Sequence, residues 1–334
     1  MIPLTPKEVA IRIARFIFGE NRVHDYLIRR GISIRNLKSG YTDSNTTNGD
    51  HQNQKQTLVF MADGKWMHGG LTDRLRGIAS ACRFAEKHNL DFKIFHVSPF
   101  NLEDILQPNK VNWTISEKEI IRDSAFAKPV LLYREDFDND SALERQLDST
   151  HRQFHLYSCV DSLNGEFSKY FNMLFKPSAL LEKEIAHYES LLGPAYTSFS
   201  FRFQNKLGDF HEFTFKELPT NDKQELLNSA LNALKNEVEK LSGSKILVTA
   251  DSPTFLEEAA KIPEVVIVKG NSIHIDFSSS KNASDYLKAF TEFSLISRAT
   301  KARLYRNRKY RTYPSNFPKY AALLGNIPYE IIEE

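Results

Sequence analysis

The most informative part of the chain lies at 68–78 and reads His-Gly-Gly-Leu-Thr-Asp-Arg-Leu-Arg-Gly-Ile. It follows the apolar run Leu-Val-Phe-Met at 58–61 and leads into a helical pattern, which predicts strand, glycine loop and helix in that order. Paired glycines let the backbone approach a ligand closely, and a helix N-terminus favours an anion. A tight turn with its arginines on a solvated face is the alternative. The residues predicted to hold the anion are Gly69, Gly70, Arg74 and Arg76.

Length, charge and cysteine content narrow the class of protein. The chain has 334 residues, enough for two domains of about 150 residues each. Its 44 basic and 42 acidic residues give a net charge of +2, which argues against a general nucleic-acid binder. Cys82 and Cys159 form no Cys-x-x-Cys pair, so we expect no structural zinc and no disulfide framework. We find neither a long apolar span nor a secretory pattern, and therefore expect a cytoplasmic location.

The N-terminal part of the chain differs from the rest. Residues 1–37 are predicted to form a helical segment, and the stretch at 6–30 intersperses apolar residues with arginines. We interpret that stretch either as an amphipathic helix on an anionic membrane surface or as a helix packed on the globular body. Residues 38–56 contain no aliphatic side chain, which predicts a flexible linker.

From residue 57 onwards, short apolar strands alternate with helices. Alternation of this kind is typical of parallel sheets covered by helices on both faces. The pattern divides into an N-terminal Rossmann-like domain at 57–185 and a C-terminal one at 186–334. The predicted fold class is therefore α/β, with two Rossmann-like domains facing a cleft. Strands are predicted at 58–61, 92–97, 129–133, 196–203, 246–249 and 265–268, and helices at 73–88, 167–192 (broken at Pro177), 223–241, 253–261 and 284–297.

Two predicted strands of the C-terminal domain end in charged residues. The first ends near Arg202, whose guanidinium can fork onto pyrophosphate oxygens, and each such bond contributes roughly 1.5–3 kcal/mol. The second delivers Asp251, next to Ser252, and this carboxylate matches the two donors of a guanine edge. A surface arginine and a helix cap are the respective alternatives.

The fourth motif lies near the C-terminus. Ser315 precedes a small-residue helix that is closed by Gly325, a residue typical of the position after a helix. The hydroxyl of Ser315 and the amides that follow it form either a second anion cradle or an ordinary N-cap.

Taken together, the four motifs at 58–325 resemble those of GT-B fold fucosyltransferases. The resemblance extends to the Nod-factor α1,6-fucosyltransferases, the core fucosyltransferases and the protein O-fucosyltransferases. It implies that the glycine loop and Arg202 hold the pyrophosphate of GDP-fucose, that Asp251 binds guanine, and that Ser315, Asn316 and Phe317 line the β-phosphate. It also implies an inverting, metal-independent enzyme that requires no cofactor.

One strand departs from the family pattern. Where the family has His-x-Arg-Arg, this chain has Ser-Phe-Arg-Phe at 200–203, so a histidine and a second arginine are missing. Arg74, Arg76 or Lys206 is expected to supply the lost positive charge. The match of Asp136-Phe137-Asp138 to a metal-binding Asp-x-Asp sequence is better interpreted as a solvated surface.

These patterns predict a glycosyltransferase, with Arg202 stabilising the leaving diphosphate and Asp73 or His68 as the general base. Its donor is GDP-fucose or a related nucleotide sugar, and its acceptor a glycan or glycolipid. The alternative is a degenerate transferase that binds a nucleotide or glycan without turnover. The aromatic residues Trp113, Phe126, Tyr133 and Tyr157 either stack on acceptor sugars or, more commonly for such residues, pack in the core.

Overall fold

A computed structural model of the protein describes residues 37–42, 55–132, 139–210, 215–241 and 243–334. The predicted basic helix at 6–30, most of the linker at 38–56, Tyr133 and the Asp-Phe-Asp sequence at 136–138 lie outside the described residues. Among the helices within those ranges, none has the length and apolar character needed to cross a membrane.

Strands and helices alternate through most of the described chain. The strands are β1 (Thr57–Ala62), β2 (Asp91–His96), β3 (Leu106–Pro108), β4 (Ala127–Leu132), β5 (Gln153–Ser158), β6 (Phe175–Pro177), β7 (Thr197–Phe201), β8 (Ile246–Ala250), β9 (Val265–Val266), β10 (Lys301–Arg306) and β11 (Tyr329–Glu333). The helices are α1 (Leu71–Lys87), α2 (Asn139–Glu144), α3 (Phe167–Leu174), α4 (Ala179–Leu192), α5 (Thr220–Lys240), α6 (Pro253–Ala259), α7 (Leu287–Arg298) and α8 (Asn316–Gly325).

Two separate parallel sheets organise the molecule. The first has the strand order β2-β1-β5-β4, and the second has the order β11-β10-β7-β8-β9. Strands β3 and β6 form a small antiparallel pair. Parallel strands need crossover connections, and helices supply most of them here. The predicted α/β class with two Rossmann-like halves is confirmed.

A layer of helices joins the two halves. Helix α3 packs against α1 of the first half and against α8 of the second, and α7 packs against α8 and α4. Aromatic contacts fill this layer: the ring of Phe167 lies 5.0 Å from that of Tyr320 and 6.4 Å from that of Phe293. One continuous apolar cluster therefore runs from the first sheet to the helices of the second. The predicted boundary between 185 and 186 falls inside α4.

The helix predicted at 167–192 is broken at Pro177 as expected, with the short strand β6 between its two parts. Two other predicted elements differ from the observed ones. The strand predicted at 265–268 is only Val265–Val266, and the helix predicted at 284–297 begins with a 3₁₀ turn at Ala283–Tyr286. In addition, Gly325 is the last helical residue of α8, and Asn326 adopts the left-handed cap conformation in its place. A Cβ on Gly325 would overlap the backbone carbonyl of Ser297, so close packing against α7 explains the glycine.

The central strands β5 and β10 have no counterpart among the predicted elements. Strand β5 reads Gln-Phe-His-Leu-Tyr-Ser, in which polar residues interrupt the apolar pattern. The amide of Gln153 donates to the carbonyl of Glu119 at 2.8 Å and contacts the imidazole of His155 at 2.9 Å, which satisfies both side chains inside the core. Trp113, Phe126 and Tyr157, considered above for stacking on acceptor sugars, are likewise buried in the core.

Candidate active site in a cleft between the two sheets

A cleft of about 370 Å³ opens between the two halves of the protein. The first half contributes the start of α1, and the second contributes the carboxyl ends of β7 and β8, the loop at 271–275, and the starts of α7 and α8. Ligands bind at this edge of open parallel sheets. Of the residues predicted for the site, Gly70, Asp73, Arg202, Asp251, Ser315, Asn316 and Phe317 line the cleft together.

The glycine loop brings α1 to the cleft. Gly69 has a φ of +88°, a backbone conformation that favours glycine, and Gly70 is the N-cap of the helix. The amide of Gly70 donates to the Asp73 carboxylate at 3.2 Å, and Arg76 lies 3.0 Å from the other carboxylate oxygen. The side chain of Asp73 is 33% exposed. Asp73 is therefore an accessible carboxylate on the first half's side of the cleft.

A protein carboxylate occupies part of the predicted anion site. Asp276, from the 3₁₀ turn Ile275–Phe277 of the second half, accepts the amide of Gly69 at 2.5 Å and that of His68 at 3.3 Å. It also accepts a hydrogen bond from Arg74 at 2.6 Å, and both side chains are buried. Contrary to the prediction, Gly69 and Arg74 join the two halves of the protein and do not face the cleft.

Two more residues of the first half are placed differently from the prediction. His68 is 1% exposed among Phe60, Trp66 and Tyr157, does not line the cleft, and burial lowers its pKa well below the ordinary value. A general base must reach the acceptor hydroxyl, so we do not retain this role for His68. Arg76 pairs with Asp73 and also lies outside the lining.

Arg202 and Asp251 form an ion pair at the ends of two neighbouring strands. Arg202 Nη1 lies 3.0 Å from the Asp251 carboxylate, and its guanidinium stacks 5.1 Å from the ring of Phe210. Asp251 also accepts the amides of Phe203 at 2.8 Å and Gln204 at 2.7 Å. Burial raises the pKa of Asp251, against the opposite influence of Arg202 and these amides.

These contacts leave little room for base recognition by Asp251. A carboxylate has about four acceptor positions, and three protein donors already fill most of them here. A guanine edge brings two further donors. Asp251 therefore holds the 203–204 turn and pairs with Arg202, whose side chain is about one-quarter exposed, and guanine recognition by Asp251 stays a prediction.

Ser252 and Ser315 are both helix N-caps. The hydroxyl of Ser252 accepts the amide of Phe255 at 3.1 Å and donates to Asp209 at 2.6 Å. It is fully buried and does not line the cleft, so the predicted nucleotide contact is replaced by capping. Ser315 also caps its helix, with a 3.2 Å bond from the amide of Phe317, but its position at the start of α8 faces the cleft.

Several cleft residues were not predicted from the sequence. Thr72 is 5% exposed, and its hydroxyl has no hydrogen-bond partner among the described residues, although it lines the cleft at the start of α1. Gln204 is also buried at the cleft, and its side-chain oxygen has no hydrogen-bond partner among the described residues. Burial lowers the pKa of His274 to about 4, so this imidazole is neutral at pH 7. Tyr313, 59% exposed, adds an aromatic ring to the rim. In the sequence, Gln204 and His274 carry only the weak signal of a polar residue in a loop.

The site also contains no visible cluster of metal ligands. Within the described ranges, no group of three or more His, Cys, Asp or Glu side chains is arranged to hold a metal ion.

Comparisons with known proteins identify the fold. No protein-family model matches the chain, and neither does any curated protein sequence. Among solved structures, NodZ α-1,6-fucosyltransferase co-crystallized with GDP is similar at a TM-score of 0.50 and 13% identity, over 81% of this chain and 93% of that one. Another NodZ structure is from Bradyrhizobium. At this identity the likeness shows the fold, which is the GT-B fold found in fucosyltransferases.

Two further solved structures show a weaker likeness. A mutant of Arabidopsis thaliana FUT1 in complex with GDP has a TM-score of 0.49 and 13% identity, over 95% of this chain and 79% of that one. POFUT1 in complex with GDP has a TM-score of 0.47 and 11% identity, over 84% of this chain and 98% of that one.

Proposed function

We propose that the protein is a glycosyltransferase that transfers a sugar from a nucleoside diphosphate donor to a hydroxyl of a glycan or glycolipid, with inversion. The observation that carries this proposal is the shared cleft, in which Asp73 of one half faces Arg202 and the start of α8 from the other. GDP-fucose is the donor that we favour, because NodZ, which has the same fold, was crystallised with GDP.

Each cleft group has one task in this reaction. The acceptor oxygen forms a bond to the anomeric carbon while the bond from that carbon to the β-phosphate oxygen breaks, and the diphosphate keeps the electron pair. Asp73 takes the proton of the acceptor hydroxyl. Arg202 and the helix N-termini at Thr72 and Ser315 stabilise the negative charge that develops on the diphosphate.

Two variants separate these roles. We expect Arg202→Met to weaken GDP binding at least roughly tenfold, the loss of one charge-assisted contact. Asp73→Asn keeps the helix cap and is expected to preserve GDP affinity while lowering transfer roughly 10²-fold or more. Isothermal titration with GDP and a transfer assay with GDP-fucose measure the two effects. The matched control is Arg298→Met, which removes an exposed arginine paired with Glu189 outside the cleft. Unchanged GDP affinity in Arg202→Met would remove that assignment.

Base preference requires a separate measurement. Three protein donors occupy most of the acceptor positions of the Asp251 carboxylate, so the two donors of a guanine edge do not find two open acceptor positions there. Titrations with GDP, GMP and UDP compare the two bases and the contribution of the second phosphate. Equal affinities for GDP and UDP would move the donor from GDP-fucose to the wider class of nucleotide sugars.

The alternative is a binding module without turnover. Two observations favour it. Of the family's His-x-Arg-Arg pattern, only Arg202 is present, and the Asp276 carboxylate accepts the amides of His68 and Gly69, which are then not available to a ligand. Binding of GDP without any hydrolysis or transfer of GDP-fucose would establish this alternative. Contact of the 6–30 stretch with a membrane remains a prediction, since those residues lie outside the described ranges. A cytoplasmic location also remains a prediction.

A further inference from the structure

A buried ion pair on α7 lines the same cleft. Lys288 and Glu292 are one helical turn apart, with Nζ of Lys288 lying 3.1 Å from the Glu292 carboxylate. Their side chains are only 5% and 8% exposed, and both residues line the cleft. Nζ of Lys288 also donates to the carbonyl of Val268 at 2.9 Å. The roles proposed above make no use of this pair.

The basic side chains of the cleft are few. Among the described residues that line it, these are Arg202, Lys288 and His274, and burial keeps His274 neutral at pH 7. Three other residues were expected to replace the lost arginine of the family pattern. Arg74 and Arg76 are engaged with Asp276 and Asp73, and Lys206 lies over the ring of Phe215, outside the lining.

The position of Lys288 is unfavourable for a purely structural lysine. It lies in the first turn of α7, where the positive end of the helix dipole repels a cation, and removing an ammonium from water has its own cost. Glu292 offsets part of both costs, and burial raises the pKa of Glu292. An ammonium has three N–H donors, and the two contacts described leave one for an additional acceptor in the cleft.

We infer that Lys288 is a second diphosphate-binding group beside Arg202. It supplies the positive charge of the second arginine in the family pattern, which is absent from this chain. The ligand class is a nucleoside diphosphate, so the inference rests on the proposed function. The spare N–H of Lys288 donates to a non-bridging diphosphate oxygen, and the contact strengthens when the sugar leaves, because the diphosphate then gains negative charge. Glu292 positions the ammonium and balances its charge when the cleft holds no ligand.

Binding measurements with three probes test the inference. Lys288→Met is expected to weaken binding of GDP at least roughly tenfold, to weaken GMP less, and to leave guanosine unchanged, because guanosine has no phosphate. Lys288→Arg retains the charge and is expected to recover most of the GDP affinity. The matched control is Lys261→Met, which disrupts an exposed lysine–glutamate pair at the C-terminal end of α6 and is expected to change nothing.

A double variant excludes a folding defect as the cause. Lys288→Met leaves Glu292 buried without its counter-ion, so Lys288→Met/Glu292→Leu removes both charges and is expected to melt close to the wild-type temperature. It is still expected to show the weakened GDP binding. Wild-type GDP affinity in either Met variant would overturn the role of Lys288, as would an equal loss for guanosine. If the wild-type protein binds no nucleoside diphosphate, the proposed function fails together with this inference.

Discussion

The contact between Arg74 and Asp276 predicts a large loss of stability in Asp276→Asn. The carboxylate accepts Arg74 at 2.6 Å, the amide of Gly69 at 2.5 Å and the amide of His68 at 3.3 Å, and it is 4% exposed. Asparagine is nearly isosteric but offers one acceptor oxygen in place of two, and it leaves the Arg74 guanidinium buried without a counter-ion. Breaking a buried pair in this way costs about 3–5 kcal/mol.

Urea denaturation is the direct assay for this variant. Both tryptophans of the chain, Trp66 and Trp113, are buried in the first half, so their fluorescence reports its unfolding. The matched control is Glu258→Gln, which neutralises a partner of the exposed Lys261 and is expected to cost under about 1 kcal/mol.

The double variant Arg74→Met/Asp276→Leu refines the test. It removes both charges, so we expect it to be more stable than Asp276→Asn, although the amides of His68 and Gly69 then lose their acceptor. A loss below about 1 kcal/mol in Asp276→Asn would refute our conclusion that this ion pair holds the two halves together.

Two further predictions concern packing and pH. Gly325→Ala is expected to lower the unfolding free energy by about 1–3 kcal/mol, because the added Cβ would overlap the carbonyl of Ser297. Thermal unfolding measures the loss, and a wild-type melting temperature in the variant would contradict the prediction. Burial lowers the pKa of His96 and His155 to about 3 from an ordinary value of 6.5, so the unfolded chain binds protons that the folded protein does not. Their contribution to stability is complete above pH 6.5 and is lost as the pH falls towards 3, by up to about 1.4 kcal/mol per histidine per pH unit. Urea titrations at pH 7 and pH 5 measure this loss. Equal unfolding free energies at the two pH values would contradict the prediction, as would a His155→Gln variant whose stability depends on pH as in the wild type.

The sequence by itself predicted the α/β class, the two halves and much of the cleft. Apolar strands followed by helices are a local pattern, and parallel strands deliver their carboxyl ends to one edge, so Asp73, Arg202 and Ser315 could be assigned to a common site. Strands β5 and β10 escaped prediction because polar or charged residues interrupt their apolar patterns. Their partners include residues from distant parts of the chain: His155 contacts the hydroxyl of Tyr41, and Arg303 pairs with Glu237.

The polar groups that can bind a ligand become apparent in the three-dimensional structure, not in the sequence. The amide of Gly69 and the carboxylate of Asp276 are 207 residues apart, and no local pattern indicates that one satisfies the other. The same holds for Asp251, whose carboxylate accepts hydrogen bonds from two backbone amides that lie 47 and 48 residues away in the sequence. A sequence shows which donors and acceptors a chain contains, whereas burial and long-range pairing determine which of them remain available in the cleft, because most buried polar groups are paired inside the protein.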